Sequence, residues 1–189
     1  MQLGEQKKAL RREIKTRAAV LSEEDRKNAD RSMFAWITGW TLWRRAESVF
    51  AYVSMWREPD TRALIDAALK AGKRVYVPRC YGEGVMKALR ISSLDELTPG
   101  LMDSPEPPES AEEAPEQIDL ALIPCVAAGL DGARLGHGAG YYDRFLAGHE
   151  TVTVCLCHAD LLTEGIPMGE FDRRMDYVIT ENGIKKIGG

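Results

Sequence analysis

The middle of the chain alternates strand, helix and strand signals, and this alternation constrains the fold more than any other feature of the sequence. Residues 48–53 (SVFAYV) form a β-branched and aromatic run that is typical of a buried strand. Residues 60–71 predict a helix that an aspartate–threonine pair can cap and that Gly72 ends. The next strand, residues 73–77, is expected to end at Pro78. Short loops between these elements favour a βαβ unit with parallel strands.

Two helices are predicted before this unit. Residues 3–20 carry apolar positions at helical spacing among charged ones. Ser22, followed three residues later by Asp25, resembles a capping box that opens a second helix running toward Trp43. The later elements are predicted strands at residues 87–91, 118–123, 152–157 and 177–180 and a helix from about Gly140 to Ala147. We therefore expect a three-layer α/β/α fold with a mostly parallel central sheet and two N-terminal helices, formed by residues 1–189 as a single domain.

Length and charge limit the functions that are open to this chain. Its 189 residues are enough to bury a core without disulfides or a structural metal. Lys and Arg number 25 and Asp and Glu number 29, so the formal net charge is 25 − 29 = −4. This mildly acidic balance argues against sequence-independent nucleic-acid binding, which needs a basic surface. A few local cations could still bind a phosphate.

Nothing in the sequence predicts a membrane span or a secretory signal. The longest uncharged apolar run, residues 120–130, is short and contains Pro124. The N-terminal segment has basic residues but no apolar stretch. The cysteines have neither C-x-x-C nor zinc-ligand spacing, so we expect buried free thiols in a reducing cytoplasm. They are Cys80, Cys125, Cys155 and Cys157.

An acidic, proline-rich segment interrupts the alternation of strands and helices. Residues 103–117 (DSPEPPESAEEAPEQ) contain four prolines, five glutamates and no basic residue. This composition predicts a solvated acidic loop.

The strongest indication of chemistry lies in residues 131–144 (DGARLGHGAGYYDR), between a buried strand and a predicted helix. Gly136, Gly138 and Gly140 alternate there, and glycine lets backbone N–H groups approach a ligand closely. The helix that follows adds unpaired N–H groups and a positive dipole end, so the segment can bind an anion such as phosphate. The spacing matches neither the Walker loop nor the dinucleotide fingerprint, and a turn that merely requires glycine is an equal alternative.

The neighbouring side chains favour the anion site. Arg134 and Arg144 flank the loop and can neutralise phosphate. Asp143, in the first turn of the helix, can hold a metal ion that bridges phosphate oxygens. Its alternative role is that of an acid stabilised by the helix dipole. Tyr141 and Tyr142 add hydroxyl groups and flat faces.

These motifs, together with others in the same order, resemble the 5-formyltetrahydrofolate cyclo-ligase family, also called methenyltetrahydrofolate synthetase. The string RLGHGAGYYDR after the strand IDLALIP is similar to the family's signature. The resemblance extends over nearly the whole chain. The other matching segments are KKALR at 7–11, EPDT at 58–61, GKRVYVP at 72–78, EP at 106–107 and DRRMD at 172–176. The EP match weakens the interpretation of residues 103–117 as a simple solvated loop.

The resemblance implies an enzyme that converts 5-formyltetrahydrofolate to 5,10-methenyltetrahydrofolate with ATP and Mg²⁺. ATP would phosphorylate the formyl oxygen, the ring would then close, and ADP and phosphate would be released. No dedicated nucleophile is needed, and the sequence has no Ser/His/Asp or Cys/His signature. The partners would be small-molecule substrates, with no nucleic acid and no membrane, and the protein would be a cytoplasmic monomer or small homo-oligomer.

One segment departs from the family pattern. Residues 124–129 read PCVAAG where the family usually has P-G-[VL]-A-F-D, which puts local packing and folate contacts at Cys125–Gly129 in question. This departure keeps a second hypothesis open, a non-catalytic nucleotide or folate binding module. A third is a different ATP-dependent activating enzyme built on the same loop.

The resemblance also implies the site residues. ATP would contact the helix residues Lys7, Lys8, Ala9, Leu10 and Arg11 and the loop residues Arg134, Leu135, Gly136, His137, Gly138, Ala139, Gly140, Tyr141 and Tyr142. The folate would contact Val53, Glu58, His137, Gly138, Ala139, Gly140 and Tyr141. Mg²⁺ would be held by Asp143 and Asp172.

Several of these assignments have a simpler alternative. Lys7 and Arg11 lie four residues apart and share a helical face, which could be a solvated basic face. Asp172 could be a surface acid, and Glu58 could be a loop carboxylate near the start of the next helix. Val53 could belong to the core instead of to a pterin wall.

Two further residues are candidates for contact with the pterin. Met86, like Val53, could line its apolar surface or pack in the core. Trp56 could stack on the pterin or cover the edge of the sheet.

Overall fold

The computed structural model describes residues 2–55 and 57–188. Its helices are α1 (Leu3–Val20), α2 (Glu23–Gly39), α3 (Thr41–Arg45), α4 (Arg62–Lys70) and α5 (Tyr141–Ala147). Its strands are β1 (Ser48–Ala51), β2 (Arg74–Gly82), β3 (Val85–Ile91), β4 (Thr98–Pro99), β5 (Pro105–Glu106), β6 (Gln117–Ile123), β7 (Ala127–Ala128), β8 (Arg134–Leu135), β9 (Glu150–Leu156), β10 (Tyr177–Thr180) and β11 (Gly183–Lys186). Short 3₁₀ helices lie at Leu94–Glu96, Leu101–Asp103 and Ala159–Leu161.

Seven of the strands form one mixed sheet in the order β11-β10-β9-β6-β1-β2-β3. The five inner strands, from β10 to β2, are parallel to one another. The outer strands β3 and β11 pair antiparallel with β2 and β10. The predicted mostly parallel sheet is thus confirmed, and its βαβ unit is β1–α4–β2.

Helices cover both faces of this sheet, because successive side chains on a strand point to opposite faces. On β1, Val49 packs in one buried cluster together with side chains of α2, α3 and α4. Its neighbour Phe50 packs in a second cluster together with Ile14 of α1 and Phe145 of α5. The result is the expected three-layer arrangement, with α1 and α5 on one face and α2, α3 and α4 on the other.

The second N-terminal helix is shorter than the sequence predicts. Ser22 caps it as expected, since its Oγ accepts a hydrogen bond from the Asp25 backbone N–H at 3.0 Å. The helix ends at Gly39, and Trp40 has extended backbone with ψ 136°. The segment toward Trp43 is therefore a separate helix, α3.

The prediction that Pro78 ends its strand is wrong, because β2 continues to Gly82. Pro78 pairs with Ala88 of β3 and lies beyond Tyr76, the last β2 residue in register with β1. On the β1 side no ladder bond is required of the proline nitrogen, and proline is tolerated in such a position. Strand β2 therefore extends past the end of β1 and remains paired with β3 along this extension.

The acidic segment 103–117 is not a freely solvated loop. Glu106 is buried, and its carboxylate accepts a hydrogen bond from the Cys80 backbone N–H at 3.3 Å. Further along, the Ala114 N–H donates to the Ala88 carbonyl of β3 at 2.8 Å. The segment therefore runs along the outer edge of β3, where it covers an edge that would otherwise be open to pairing.

The C-terminal end of the sheet contains a strand that the sequence analysis missed. Residues 177–180 form the predicted strand β10, but β11 follows and turns back at Gly183, which has φ +136°. Its four residues, GIKK, are too few and too polar to give a strand signal.

The cysteines and the helices bear on two further expectations. The four thiols are free, as expected, and three of them are buried, whereas Cys80 is only half-buried. No helix among the residues that the structure describes is long and apolar enough to cross a membrane.

Candidate active site

The order of the strands reverses between β1 and β6. From β1 the chain moves through α4 to β2 on one side, and the later strands β6, β9 and β10 lie on the other side. In open α/β sheets, ligands bind at the carboxyl ends of the strands at such a switch point. Here those ends lead into residues 52–58 after β1 and into residues 124–140 after β6. These are the segments in which the sequence placed Glu58 and the glycine loop.

The glycine loop, residues 134–140, begins with β8 and leads into the N-terminus of α5. Gly138 has φ +110° and Gly140, the residue before α5, has φ +71°, a region that favours glycine over other residues. The alternation also makes room for arginine. A Cβ atom on Gly136, Gly138 or Gly140 would lie 2.8, 3.3 or 2.9 Å from the guanidinium of Arg134, Arg11 or Arg144, respectively. The loop is therefore both a turn that requires glycine and a backbone surface lined with cations.

Helix α1 presents one face to this loop. The Arg11 Nε donates to the Gly136 carbonyl at 2.8 Å, and Lys7 forms an ion pair with Asp172. Both side chains lie on the same helical face, as predicted, and both contact other parts of the protein instead of extending into solvent. The rest of the matched segment differs: Lys8 is exposed, Ala9 is half-buried, and Leu10 packs against the core.

Arg134 is the buried cation of the site, with a side chain that is 4% exposed. One of its terminal nitrogens donates to Asp143 at 2.7 Å and the other to the Pro124 carbonyl at 3.2 Å. Its Nε is buried and has no hydrogen-bond partner among the described residues. The guanidinium also lies 5.9 Å from the centre of the Tyr142 ring. Asp143 is the carboxylate that pairs with its charge.

Asp172 lies on the α1 side of this cation. Partial burial raises the pKa of its carboxyl group, but the Gly169 N–H and the Lys7 ammonium, with Arg134 farther away, outweigh burial and lower the pKa overall. The carboxylate is therefore held in its charged form. Lys7, Asp172, Arg134 and Asp143 together give a set of alternating charges beside the glycine loop.

The two carboxylates fit Mg²⁺ bound together with phosphate. In each of Asp143 and Asp172, only one oxygen accepts a hydrogen bond from the part of the chain that the structure describes. The other oxygen can therefore act as a hard ligand, the kind that Mg²⁺ prefers. No group of three or more His, Cys, Asp or Glu side chains within residues 2–55 and 57–188 could hold a metal by itself. Phosphate oxygens would have to complete the coordination.

Glu58 and His137 face each other across the switch point. The Glu58 Oε1 lies 3.1 Å from the His137 Nε2, and the Glu58 Oε2 accepts from the Met55 N–H at 2.9 Å. The glutamate side chain is mostly buried, whereas the histidine is 61% exposed. The segment after β1 and the glycine loop after β6 therefore meet at these two residues.

The candidate apolar contacts lie mostly in the core. Val53 is buried in the cluster with α2, α3 and α4, and Met86 is buried in the cluster with α1 and α5. Tyr142 packs against both clusters, and burial raises the pKa of its hydroxyl well above the usual value. Trp56 lies outside the described residues.

Arg144 has a role that the sequence did not indicate. Its Nε donates to the Gly84 carbonyl in the β2–β3 turn at 3.0 Å, and its Nη2 donates to the Ala139 carbonyl of the glycine loop. The sequence predicts only a cation that can neutralise phosphate there. The spacing of Gly82 and Gly84 around that turn was the available signal, but it does not identify the partner.

Comparisons with known proteins agree with this geometry. The model of the 5-formyltetrahydrofolate cyclo-ligase family matches residues 3–181. The chain belongs to this family. The 5-formyltetrahydrofolate cyclo-ligase of Mycolicibacterium smegmatis is 32% identical, with 92% of this chain and 93% of the relative covered. The mouse enzyme of the same name is 28% identical over 93% of this chain and 94% of its own.

A solved structure shows the same fold. The 5,10-methenyltetrahydrofolate synthetase of Aquifex aeolicus superimposes with a TM-score of 0.87 at 27% sequence identity, covering 97% of this chain and 93% of that one. The cyclo-ligase family match spans α1, both segments at the switch point and Asp172. All the motif segments on which the sequence resemblance rests therefore lie within the matched range.

Proposed function

We propose that this cyclo-ligase converts 5-formyltetrahydrofolate to 5,10-methenyltetrahydrofolate at the expense of ATP, which is released as ADP and phosphate. The observation that carries the proposal is the meeting of two different sets of groups at one switch point. Cations and backbone N–H groups of the glycine loop lie on one side, and the buried carboxylate of Glu58 lies on the other. The first set suits a triphosphate and the second suits the N–H donors of a reduced pterin.

The chemistry explains why positioning suffices. The formyl oxygen attacks the γ-phosphorus of ATP, the bond to ADP breaks, and an imidate phosphate forms. The neighbouring nitrogen then attacks the activated carbon and loses its proton, and phosphate leaves with the former formyl oxygen as the new C–N double bond forms. Phosphoryl transfer needs oriented substrates and stabilised charge more than it needs a protein nucleophile.

The phosphates of ATP are assigned to the cationic side of the site. The N–H groups at the start of α5 and the guanidinium of Arg11 lie along the loop backbone, where negative charge is stabilised. Lys7 can donate to a phosphate while it remains beside Asp172, because an ammonium has three N–H donors. Arg134 stabilises the negative charge of the phosphates from the buried side of the loop, since its side chain is buried and paired with Asp143.

Asp143 and Asp172 are assigned to Mg²⁺. When bound with ATP, this ion neutralises charge on the phosphate oxygens during transfer. Arg134 holds Asp143 through a 2.7 Å bond, and Lys7 and the Gly169 N–H hold Asp172, so both carboxylates are oriented before a ligand arrives.

The folate is assigned to the Glu58 side of the site. Met55 fixes one carboxylate oxygen of Glu58, which leaves the oxygen that faces His137 available to accept a pterin N–H. Exposed His137 can swing away when the pterin binds, since only Glu58 holds its ring among the described residues. The glycine loop would then border both substrates, as the resemblance implies for residues 137–141.

An absorbance assay for methenyl-folate formation tests the proposal. With 5-formyltetrahydrofolate, ATP and Mg²⁺ present, we expect product to form, and omission of ATP should abolish it. Glu58→Gln keeps the size of the side chain but removes its charge and should weaken use of the folate. Glu47→Gln is the matched control, because Glu47 lies at the opposite, amino-terminal end of β1. No product from the folded wild-type protein with all reactants present would overturn the proposal.

A further inference from the structure

The turn between β2 and β3 is a tight hairpin turn. Gly82 pairs with Val85, so Glu83 and Gly84 are its two central residues, with φ +49° and +80°. Positive φ at both central positions is the favoured geometry of a two-residue hairpin. The turn is therefore formed by its own short-range geometry, and its contacts with other segments decide where it lies.

The turn also lies far from the parallel part of the sheet. Strand β2 continues for six residues, 77–82, beyond its last partner on β1. At about 3.3 Å per residue this extension reaches roughly 20 Å past the paired region, in the direction of the carboxyl ends of the strands. The turn is thus brought to the side of the molecule that carries the glycine loop.

Arg144 connects the turn to the loop. The fork of its guanidinium group donates to two backbone carbonyls, that of Gly84 in the turn and that of Ala139 in the loop. Both neighbouring glycines make room for it. A Cβ atom on Gly84 would overlap the guanidinium, and a Cβ atom on Gly140 would lie 2.9 Å from its Nη1.

We propose that Arg144 is a positioning residue that fixes the β2–β3 turn against the glycine loop and so holds the loop in its phosphate-binding shape. This inference rests on the proposed function for its consequence in catalysis, whereas the contact itself does not. Arg144 acts through the loop backbone and does not contact phosphate. Its two carbonyl partners need a planar fork of donors, which lysine cannot supply.

A direct phosphate ligand and a positioning residue respond differently to substitution. If Arg144 bound phosphate by its charge, Arg144→Lys would retain much of the activity and Gly84→Ala would act only through local strain. If Arg144 positions the loop, Arg144→Lys fails almost as badly as Arg144→Ala. Gly84→Ala then reproduces the defect although it changes no charge, because the methyl group displaces the guanidinium.

The first measurement is loop exchange, meaning hydrogen exchange without substrates of the amides in residues 144–147, the first hydrogen-bonded amides after the glycine loop. The Arg144 N–H donates to the Gly140 carbonyl of the loop at 3.2 Å. Loss of the two hydrogen bonds from the charged guanidinium should speed the exchange of these amides at least about 10-fold in Arg144→Ala. Arg31→Ala is the matched control, since Arg31 is an exposed arginine of α2 whose guanidinium donates to the Asn28 side chain one turn away. Unchanged exchange in a folded Arg144→Ala protein would overturn the proposal, whatever reaction the enzyme catalyses.

The second measurement compares glycine variants. Gly72 has φ +75° and open space around its Cβ position, so Gly72→Ala reproduces the backbone strain of Gly84→Ala without the clash. We expect Gly84→Ala to speed loop exchange and Gly72→Ala to leave it unchanged. In the Arg144→Ala background, Gly84→Ala should add nothing further to loop exchange, since its target is gone. Additive effects of the two changes would contradict the coupling.

The third measurement is kinetic. Arg144→Ala should raise the KM for ATP roughly 10-fold with a smaller effect on kcat, and Arg144→Lys should raise it nearly as far, because lysine lacks the planar fork of donors. Normal KM values in a variant with fast loop exchange would refute the catalytic part of the proposal. An inactive wild-type protein with the expected exchange behaviour would instead refute the proposed function and leave the positioning contact standing.

Discussion

Replacing Asp143 with asparagine separates a metal ligand from an acid that only stabilises the fold. Asp143 lies in the first turn of α5, where a negative charge near the helix N-terminus contributes about 0.3–1 kcal/mol. The structure adds a second contribution, the 2.7 Å bond to the buried guanidinium of Arg134. Asparagine keeps an oxygen acceptor there but removes the charge.

The size of the stability loss follows from these two contacts. A hydrogen bond to a charged partner contributes about 1.5–3 kcal/mol and a neutral one about 0.5–1.5 kcal/mol, so the changed bond should cost roughly 1–1.5 kcal/mol. Loss of the charge at the helix N-terminus adds about 0.3–1 kcal/mol, which gives a total of roughly 1.3–2.5 kcal/mol. For a chain of this length, each kcal/mol lowers Tm by about 2–4 °C. We therefore expect Tm to fall by about 3–10 °C, measured by circular dichroism. Asp131→Asn is the control, because its ion pair with Arg174 is exposed and contributes less than about 1 kcal/mol.

Activity then distinguishes the two roles of Asp143. As an Mg²⁺ ligand, Asp143→Asn should lower methenyl formation at least 100-fold and raise the Mg²⁺ concentration needed for half-maximal rate. Asp172→Asn should behave alike, and the double variant should be little worse than either single one, because one lost ligand already disables the ion. A lowered Tm with normal turnover and an unchanged Mg²⁺ requirement would refute the metal assignment.

Three further predictions concern the other side chains of the site. Arg11→Ala should raise the KM for ATP about 10- to 150-fold through loss of a charge-assisted contact, whereas Arg12→Ala, one position along on the exposed side of α1, should leave it within two-fold. The Gly169 N–H and Lys7 lower the pKa of Asp172 in the folded protein below the usual 3.8, so its ion pair with Lys7 stabilises the fold at neutral pH and is lost as pH falls through that lowered pKa. The difference in unfolding free energy between wild type and Lys7→Met, about 1 kcal/mol in urea titrations at pH 7, should shrink as pH falls below 3.8, and a constant difference would contradict the assignment. Glu58→Gln should raise the KM for 5-formyltetrahydrofolate about 10-fold or more and leave the KM for ATP unchanged, and equal effects on both would place Glu58 outside the folate side.

Local patterns were sufficient to predict the elements that position the site. The βαβ unit, the capped start of α2 and the helix after the glycine loop all depend on short-range signals, which a sequence shows directly. The shared face of Lys7 and Arg11 was predicted for the same reason, since helical geometry fixes it. What these side chains contact was not predictable, because Gly136 and Asp172 are distant in sequence.

The features that the sequence did not reveal depend on tertiary contacts. Pro78 is tolerated within β2 only because β1 has already ended beside it. Residues 103–117 have the composition of a solvated loop, yet backbone bonds to β3 and burial of Glu106 fix them in place. The use of Arg144 as a link between two backbone segments is of the same kind, because its partners Gly84 and Ala139 belong to different elements.

The most direct test of the central claim follows one oxygen atom. 5-Formyltetrahydrofolate that carries oxygen-18 in its formyl group is converted with unlabelled ATP and Mg²⁺ in ordinary water, and the released phosphate is analysed by mass spectrometry. Activation of the formyl oxygen by phosphoryl transfer predicts one labelled oxygen in each phosphate released with the methenyl product. Methenyl product accompanied by unlabelled phosphate, with the label released as water, would contradict the proposed activation.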